Sequence, residues 1–118
     1  MNNIIHLRGK YMKLFVNKKL FDHKGDVIKA DGVNGPAALL GTLCVNALLA
    51  ETQQDQNAEF KAKMHKWNLS RQIQKGLEDT AEDAYVEMPI EDMDLIKKRI
   101  GTIFPTALCA PIIHALES

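Results

Sequence analysis

Histidine and cysteine are the side chains in this sequence that could ligate a metal or form a nucleophile and base. Cys109 lies five residues before His114, so the two side chains would point to different faces of a helix. The histidines are scattered over separate segments, without the His-x-x-x-His spacing or the cysteine pairing of metal sites; they are His6, His23, His65 and His114. The sequence therefore predicts no metal, no cofactor and no Cys–His nucleophile.

Both cysteines occupy apolar helical segments, where a thiol behaves as a small hydrophobic side chain. We predict that Cys44 and Cys109 are buried free thiols. A disulfide between them is the alternative, which a reducing compartment would disfavour.

Acidic side chains are concentrated in residues 78–94, which hold eight carboxylates and no Lys or Arg. Clustered carboxylates can bind a divalent cation or act as general acid and base. Their spacing does not fit an EF-hand loop, so we interpret the segment as a solvated acidic face. The sequence also has no phosphate-binding loop, no dinucleotide-binding glycine motif and no Gly-x-Ser-x-Gly elbow. We therefore expect a protein that is not an enzyme.

Basic side chains are concentrated elsewhere, although the formal net charge of the chain is zero. Residues 58–75 hold five Lys or Arg against one Glu, and residues 1–29 hold seven against two Asp. This separation predicts a surface with oppositely charged regions. The candidate interaction residues are Lys61, Lys63, Lys66, Arg71, Glu78, Asp79, Glu82 and Asp83.

Three interpretations of this charge pattern are open. The acidic segment could lie against the basic helix of the same molecule, where each exposed ion pair contributes about 0–1 kcal/mol. Opposite regions of two molecules could instead meet in a head-to-tail or two-fold assembly. The basic helix could also bind nucleic acid, but the zero net charge and the lack of interleaved exposed aromatics count against that use.

The most apolar segment of the chain supplies the core against which these charged regions are positioned. Its apolar residues form a broad stripe at helical spacing: Leu39, Leu40, Leu43, Cys44, Ala47 and Leu48. Pro36 suits the first turn of a helix, where its missing N–H group would have no partner. We predict an interior helix over Pro36–Glu51.

Strand and helix signals flank this interior helix. Two β-prone runs, at residues 12–21 and 27–28, enclose a loop in which Gly25 can take a positive φ, which predicts a hairpin. A further helix is predicted from about residue 58 to residue 75. We expect its Trp67 to anchor the core, within a stripe formed by Phe60, Met64, Trp67, Arg71, Leu69 and Ile73.

The C-terminal part of the sequence predicts a short strand and two more helices. The strand covers residues 85–88, and Pro89 then begins a helix that ends at Gly101. The last helix begins near Pro105, with a kink or break at Pro111. The predicted fold is α+β: a small N-terminal β-hairpin, with a third short strand near residues 85–88, packed on a bundle of about four helices.

One domain fits a chain of 118 residues. We predict an irregular N-terminal extension over residues 1–11 and a single α+β domain over residues 12–118, with Met12 as an alternative start. No segment has the length and hydropathy of a transmembrane helix, and the N-terminus lacks the pattern of a signal peptide. These features predict a cytoplasmic protein.

Two segments resemble a family of small phage and prophage proteins. They are LGTLCVNALL at residues 40–49 and EDMDLIKK at residues 91–98. In that family, an LG-x-[LV]-C-x-NALL segment and an ED-x-x-LIKK segment recur in this order, and the resemblance covers about residues 12–117. Pro89 departs from the Ser or Thr expected as the helix cap. The resemblance implies a phage or prophage origin, hence a bacterial host cell, and brings no established activity.

We therefore expect a non-enzymatic phage or prophage protein that acts by binding another protein. Its task would lie in particle morphogenesis, for example as a tail assembly accessory, or in action against a host factor. The expected partners are a phage or host protein or a second copy of the chain, and no membrane. The alternative is a nucleic-acid-binding regulator that uses the basic helix at about residues 58–75.

Overall fold

The computed structural model describes residues 11–30 and 35–117. In this part of the chain the elements are strand β1 (Tyr11–Phe15), helix α1 (Leu40–Leu49), helix α2 (Gln53–Gln56), helix α3 (Phe60–Gly76), strand β2 (Tyr85–Pro89), helix α4 (Ile90–Ile103) and helix α5 (Thr106–Glu117). The predicted α+β class is confirmed. The predicted extension at residues 1–11 lies outside the described residues except for Tyr11, where β1 begins.

The two strands form an antiparallel sheet, in which Leu14 lies opposite Val86. The second strand is therefore the short strand predicted near residues 85–88. Successive side chains of a strand point to opposite faces, so Leu14, Val86 and Met88 are buried while Tyr85 stays exposed. On the exposed face, the Tyr85 ring packs at 5.8 Å from the ring of Phe15. The sheet thus presents one face to the core.

The hairpin predicted from residues 12–21 and 27–28 is present only as a tight turn in the loop after β1, because β1 pairs with β2 and not with residues 27–28. The Asp22 N–H group donates to the Asp26 carbonyl at 2.9 Å, and Phe21 and Val27 pair as an isolated antiparallel bridge. Gly25 has a φ of 87°, a conformation that glycine adopts without steric cost. The residues just before α1 then lie antiparallel to the segment that follows β1, since Lys19 pairs with Leu39 in an isolated bridge.

Helix α1 is shorter than predicted, because residues 36–39 are extended and residues 50–51 are not helical. The free N–H groups at its start are satisfied by the backbone that follows β1: Leu40 donates to the Lys18 carbonyl at 2.9 Å and Gly41 to the Val16 carbonyl at 2.8 Å. A Cβ atom on Gly41 would lie 2.8 Å from Val16 Cβ, so glycine permits this close approach. The predicted helix over Pro36–Glu51 is therefore wrong at both ends.

The core surrounds α1, as expected of an interior helix. Helices α3, α4 and α5 and strand β1 all pack on it. The large side chains that are fully buried come from every strand and long helix and from the loop after β1; they are Leu14, Leu20, Leu40, Ile73, Met88, Met93, Ile96, Ile100, Ile112, Val16 and Cys44. The prediction at Pro111 was a kink or a break; helix α5 continues through this residue, so no break occurs. None of the helices in the described part of the chain has the length and hydropathy needed to cross a bilayer.

Candidate protein-binding surface

Helix α3 carries apolar side chains on two opposite faces. On its inward face, Leu69 and Ile73 are 3% and 0% exposed, and α3 packs there against α1. On its outward face, Phe60, Met64 and Trp67 are 73%, 48% and 49% exposed. The i, i+4, i+7 spacing of these three residues places them in one line along the helix.

The prediction that Trp67 anchors the core is wrong, because the predicted stripe merges these two faces. At about 100° per residue, Leu69 lies roughly 160° round the helix from Trp67, so the two side chains cannot enter the same core. The outward stripe also continues into Arg71, which is exposed. A helical projection of the sequence separates the two stripes, so the signal for an exposed apolar face is present in the sequence.

Leu49, the last residue of α1, extends this outward stripe onto a second element. It is 46% exposed. A groove of about 450 Å³ lies between the end of α1 and α3, and its lining residues are Leu48, Leu49, Glu51, Lys63, Met64, Lys66 and Trp67. We term Leu49, Phe60, Met64 and Trp67 the apolar patch. Trp, Phe and Met are residue types enriched where proteins bind one another.

Three of the four predicted basic residues border the apolar patch. Lys61 and Arg71 are exposed, and the half-exposed Lys63 reaches the Gln56 carbonyl at 3.5 Å. Lys66 differs from them, because its Nζ atom lies 3.4 Å from Asp55 Oδ1 and its side chain is only 12% exposed. The basic border therefore consists of Lys61, Lys63 and Arg71.

The four predicted acidic residues lie together in the loop between α3 and β2. Glu78, Asp79, Glu82 and Asp83 are all exposed, and we term them the acidic loop. The Asn17 side chain holds this loop in place, since its Nδ2 atom donates to the backbone carbonyl oxygens of Asp79 and Ala81, at 2.6 and 2.7 Å.

The acidic loop and the first turn of α3 are separated by the length of that helix, about 26 Å at 1.5 Å per residue. Within residues 11–30 and 35–117, no ion pair joins the acidic loop to a basic residue of α3. The pairs that form there are His65–Asp92, Lys66–Asp55, Lys97–Glu117 and Arg99–Asp55. Among the described residues, the intramolecular interpretation of the charge pattern is therefore not supported.

A buried ion pair lies at the C-terminal end of α1, and sequence reasoning missed it. Arg99 of α4 donates from Nη1 to Asp55 Oδ1 at 2.8 Å and from Nη2 to Asp55 Oδ2 at 2.9 Å. The same guanidinium group donates to the carbonyl oxygens of Ala47 and Ala50, at 3.3 and 2.6 Å. These carbonyls belong to the C-terminal end of α1, where helical partners are lacking. The guanidinium therefore fixes the end of the helix that carries Leu49.

Asp55 completes this network through the turn that begins α2. The N–H and hydroxyl groups of Thr52 donate to Asp55 Oδ2, at 2.7 and 2.9 Å. The Thr52 N–H bond and then the Arg99 guanidinium hold the pKa of the Asp55 carboxyl well below its ordinary value of 3.8. The Thr52-x-x-Asp55 spacing is a capping pattern visible in the sequence. No sequence pattern indicates that Arg99 reaches this carboxylate.

The histidines and cysteines in the described residues are dispersed. His65 Nε2 lies 2.7 Å from Asp92 Oδ1, whereas His23 and His114 are exposed at other positions, and His6 lies outside the described residues. Both cysteines are free thiols; Cys44 is buried, which raises its pKa to about 12, and Cys109 is half-buried. Within residues 11–30 and 35–117, no three His, Cys, Asp or Glu side chains are grouped to hold a metal ion.

The apolar patch has the composition of a surface that could bind another protein. Large apolar side chains lie exposed next to one another along α3 and at the end of α1. A scan of protein-family models finds no match for this chain, and searches of curated proteins and of solved structures find no similar protein either. Evidence for function therefore comes from the residues of the chain itself.

Proposed function

We propose that this protein is non-enzymatic and acts by binding another protein through the apolar patch and its basic border. The observation that carries the proposal is the exposure of Leu49, Phe60, Met64 and Trp67, between 46% and 73% each. Burying apolar surface stabilises a complex by about 25 cal/mol per Å² removed from water, before the cost of association is subtracted. Contiguous exposed apolar patches of this kind commonly mark interaction sites.

The patch has the composition of a binding centre with a polar rim. Trp67 and Phe60 are large side chains with few rotatable bonds, and aromatic anchors of this type dominate the binding free energy of many interfaces. The bordering charges, on Lys61, Lys63 and Arg71, favour a partner whose facing rim is acidic. The network around Arg99 holds the end of α1 in place, so one side of the surface is ordered before binding.

A phage or prophage origin is part of the proposal, and the resemblance of two segments supports it. The segment LGTLCVNALL is helix α1, which contributes Leu49 to the patch. The segment EDMDLIKK lies within α4 and ends one residue before Arg99. In that setting the protein would act in the cytoplasm of a bacterial host, in particle morphogenesis or against a host factor.

A capture experiment with matched variants tests the proposed function. The double variant Phe60→Ser/Trp67→Ser removes the aromatic anchors, and Phe21→Ser removes an aromatic that is 55% exposed outside the patch. From infected cells, wild type and Phe21→Ser should retain the same phage or host protein, identified by mass spectrometry, and the double variant should lose it. Equal retention by a folded double variant would contradict the proposal.

A nucleic-acid-binding regulator is the second candidate function. The sequence alone gave it little support, but one observation from the structure favours it. Phe60 and Trp67 are exposed among Lys61, Lys63 and Arg71, so aromatic and basic side chains do alternate on this surface. Bases of single strands stack on such aromatics while the cations contact phosphates. The zero net charge still counts against this function.

A gel shift at increasing salt concentration tests the second candidate. Affinity for single-stranded nucleic acid should fall as salt rises, because bound phosphates release counterions, and it should weaken in Trp67→Ser. An absence of binding at low salt, or binding that salt does not weaken, would remove this candidate.

A further inference from the structure

We infer that the apolar patch binds one amphipathic helix of the partner protein, which lies antiparallel along α3 and carries carboxylates in its first turn. This inference rests on the proposed binding function of the patch and names the chemistry of its occupant. Two observations carry it: the order of the side chains along the outward side of α3, and the absence of acidic residues from that helix.

Apolar and then basic side chains follow one another along a single line on the outward side of α3. Phe60, Met64 and Trp67 occupy the first part of this line, and the exposed Arg71 and Lys75 continue it towards the end of the helix. At 100° per residue, the five positions lie within about 80° of one another and extend over about 22 Å. Helix α3 contains five Lys or Arg and no Asp or Glu. The line is therefore apolar at one end and basic at the other.

Backbone hydrogen bonding selects a helix as the occupant of this line. The side of α3 offers no backbone donors or acceptors, because these groups are bonded within the helix. An extended segment pressed onto the apolar patch would leave many of its own N–H and C=O groups without partners, whereas a helix satisfies them internally. An amphipathic helix also presents side chains at the spacing of the outward line. The groove of about 450 Å³ beside α3 gives such a helix a second wall, formed by Leu49.

The charges select the direction of the occupant. Arg71 and Lys75 have no acidic residue beside them on α3, whereas the basic residues at the start of α3 are accompanied by the exposed Glu51 and Glu59. Carboxylates of the occupant therefore belong opposite Arg71 and Lys75. In an antiparallel helix this place is the first turn, where carboxylates also suit the helix dipole. A helix that begins opposite Lys75 stops short of the acidic loop, which starts at Glu78.

The same features disfavour two other occupants. A second copy of α3 has no carboxylate to place opposite Arg71 and Lys75. Single-stranded nucleic acid would use these cations, but Met64 and Leu49 offer no ring on which a base could stack. Its phosphates would also meet the acidic loop and Glu51. An acidic amphipathic helix uses both the apolar and the basic part of the line.

Two synthetic peptides test the inference, with the fluorescence of Trp67 as the reporter. The acidic peptide carries Glu in its first turn, Leu at i, i+4 and i+7 in the turns that follow, and Ala and Gln elsewhere. The basic peptide has Lys in place of each Glu. Binding should shift the emission of Trp67 to shorter wavelength, because the peptide covers its ring. Wild type should bind the acidic peptide at least about tenfold more tightly than the basic one.

Variants at the basic end of the line show whether this preference comes from the predicted contacts. Arg71→Gln/Lys75→Gln should remove most of the preference, and Arg71→Glu/Lys75→Glu should reverse it. A reversal also shows that the preference is not caused by a difference in helix content between the peptides. The control variant Lys24→Glu/Lys29→Glu changes exposed residues of the loop after β1 and should keep the preference of wild type. Circular dichroism checks the fold of each variant.

The apolar end of the line is tested by Phe60→Ser/Met64→Ser, which keeps the reporter and should weaken binding of the acidic peptide at least about tenfold. Equal affinity of wild type for the two peptides, or an unchanged preference in Arg71→Gln/Lys75→Gln, would overturn the inference. A wild-type dimer with Trp67 shielded would overturn it too, since the chain would then cover its own patch. Single-stranded DNA that binds the patch more tightly than the acidic peptide would assign the surface to nucleic acid instead.

The capture experiment separates this inference from the proposed function. If Phe60→Ser/Trp67→Ser loses a captured protein but the acidic peptide does not bind wild type, the helical occupant is wrong and the proposed function stands. If the peptides bind as expected and this double variant retains the same proteins as wild type, the proposed function fails and the preference of the surface for an acidic helix stands.

Discussion

The inward and outward faces of α3 carry similar side chains in different surroundings. Leu69 and Ile73 are almost completely buried against α1, whereas Phe60, Met64 and Trp67 are half or more exposed on the opposite side. Residue type alone does not decide which stripe is buried, because the other elements of the fold cover one side of the helix only. A helix with two apolar faces in a fold that covers one of them has an unused contact surface.

The largest difference between the two faces should appear in stability. The substitution Ile73→Ala leaves a cavity at a fully buried position and should lower the free energy of unfolding by roughly 2–5 kcal/mol. The matched outward substitution, Met64→Ala, should change it by less than about 0.5 kcal/mol. Urea denaturation measures both values. A loss of similar size for Met64→Ala would show that the outward face is packed.

A smaller loss of stability is expected from a substitution at Gly76, where α3 meets β2. An added Cβ atom on Gly76 would overlap Val86 Cγ2, a side chain with a stiff rotamer. Gly76→Ala should therefore lower the free energy of unfolding by about 1–2 kcal/mol, since overpacking outweighs the gain in helix propensity.

Gly101 provides the control for this substitution, because nothing lies within 4 Å of a Cβ atom added there. Gly101→Ala, in an exposed part of α4, should raise the free energy of unfolding by up to about 1 kcal/mol. Effects of the same sign at both glycines would contradict the close approach at Gly76.

The last expected effect depends on pH and concerns Asp55, which Lys66 contacts at the boundary between the two faces. The pKa of Asp55 is lowered in the folded chain, so its bonds to Thr52 and Arg99 stabilise the fold above the unfolded pKa of about 4. This stability is lost as the pH falls below that value. The difference in Tm between wild type and Asp55→Asn should therefore be largest at pH 7 and shrink at about pH 3.

Thermal denaturation at several pH values measures this difference, with Met64→Ala as the control. The Tm difference of the control should not vary with pH, since no titrating group is removed. A difference for Asp55→Asn that is equal at neutral and acidic pH would contradict the lowered pKa.

Much of the fold could be predicted from local patterns. The α+β class, the interior position of α1, the turn around Gly25 and the strand near residues 85–88 follow from periodicity and turn residues. The start of α1 could not be predicted, because its first N–H groups bond to the Val16 and Lys18 carbonyls, and these contacts form only in the folded chain.

The candidate site was predictable only in part. The basic and acidic residues were found from charge clustering, and the structure shows that Lys66 alone among them is drawn into a buried network. The exposure of Trp67 could have been predicted by separating the two apolar stripes of α3 on a helical projection, since both stripes are visible in the sequence. The ion pair of Arg99 with Asp55 joins residues 44 positions apart, and no local pattern predicts such a contact.

Measuring how exposed Trp67 is to solvent tests the proposed surface most directly, because Trp67 is the only tryptophan of the chain and its fluorescence can be followed alone. Acrylamide quenching of its fluorescence should be strong in dilute protein, where the outward face of α3 contacts water. Quenching should weaken and the emission should shift to shorter wavelength once the patch is covered by its partner. A Trp67 that is shielded in the dilute protein, or that is quenched equally with the partner bound, would contradict the account.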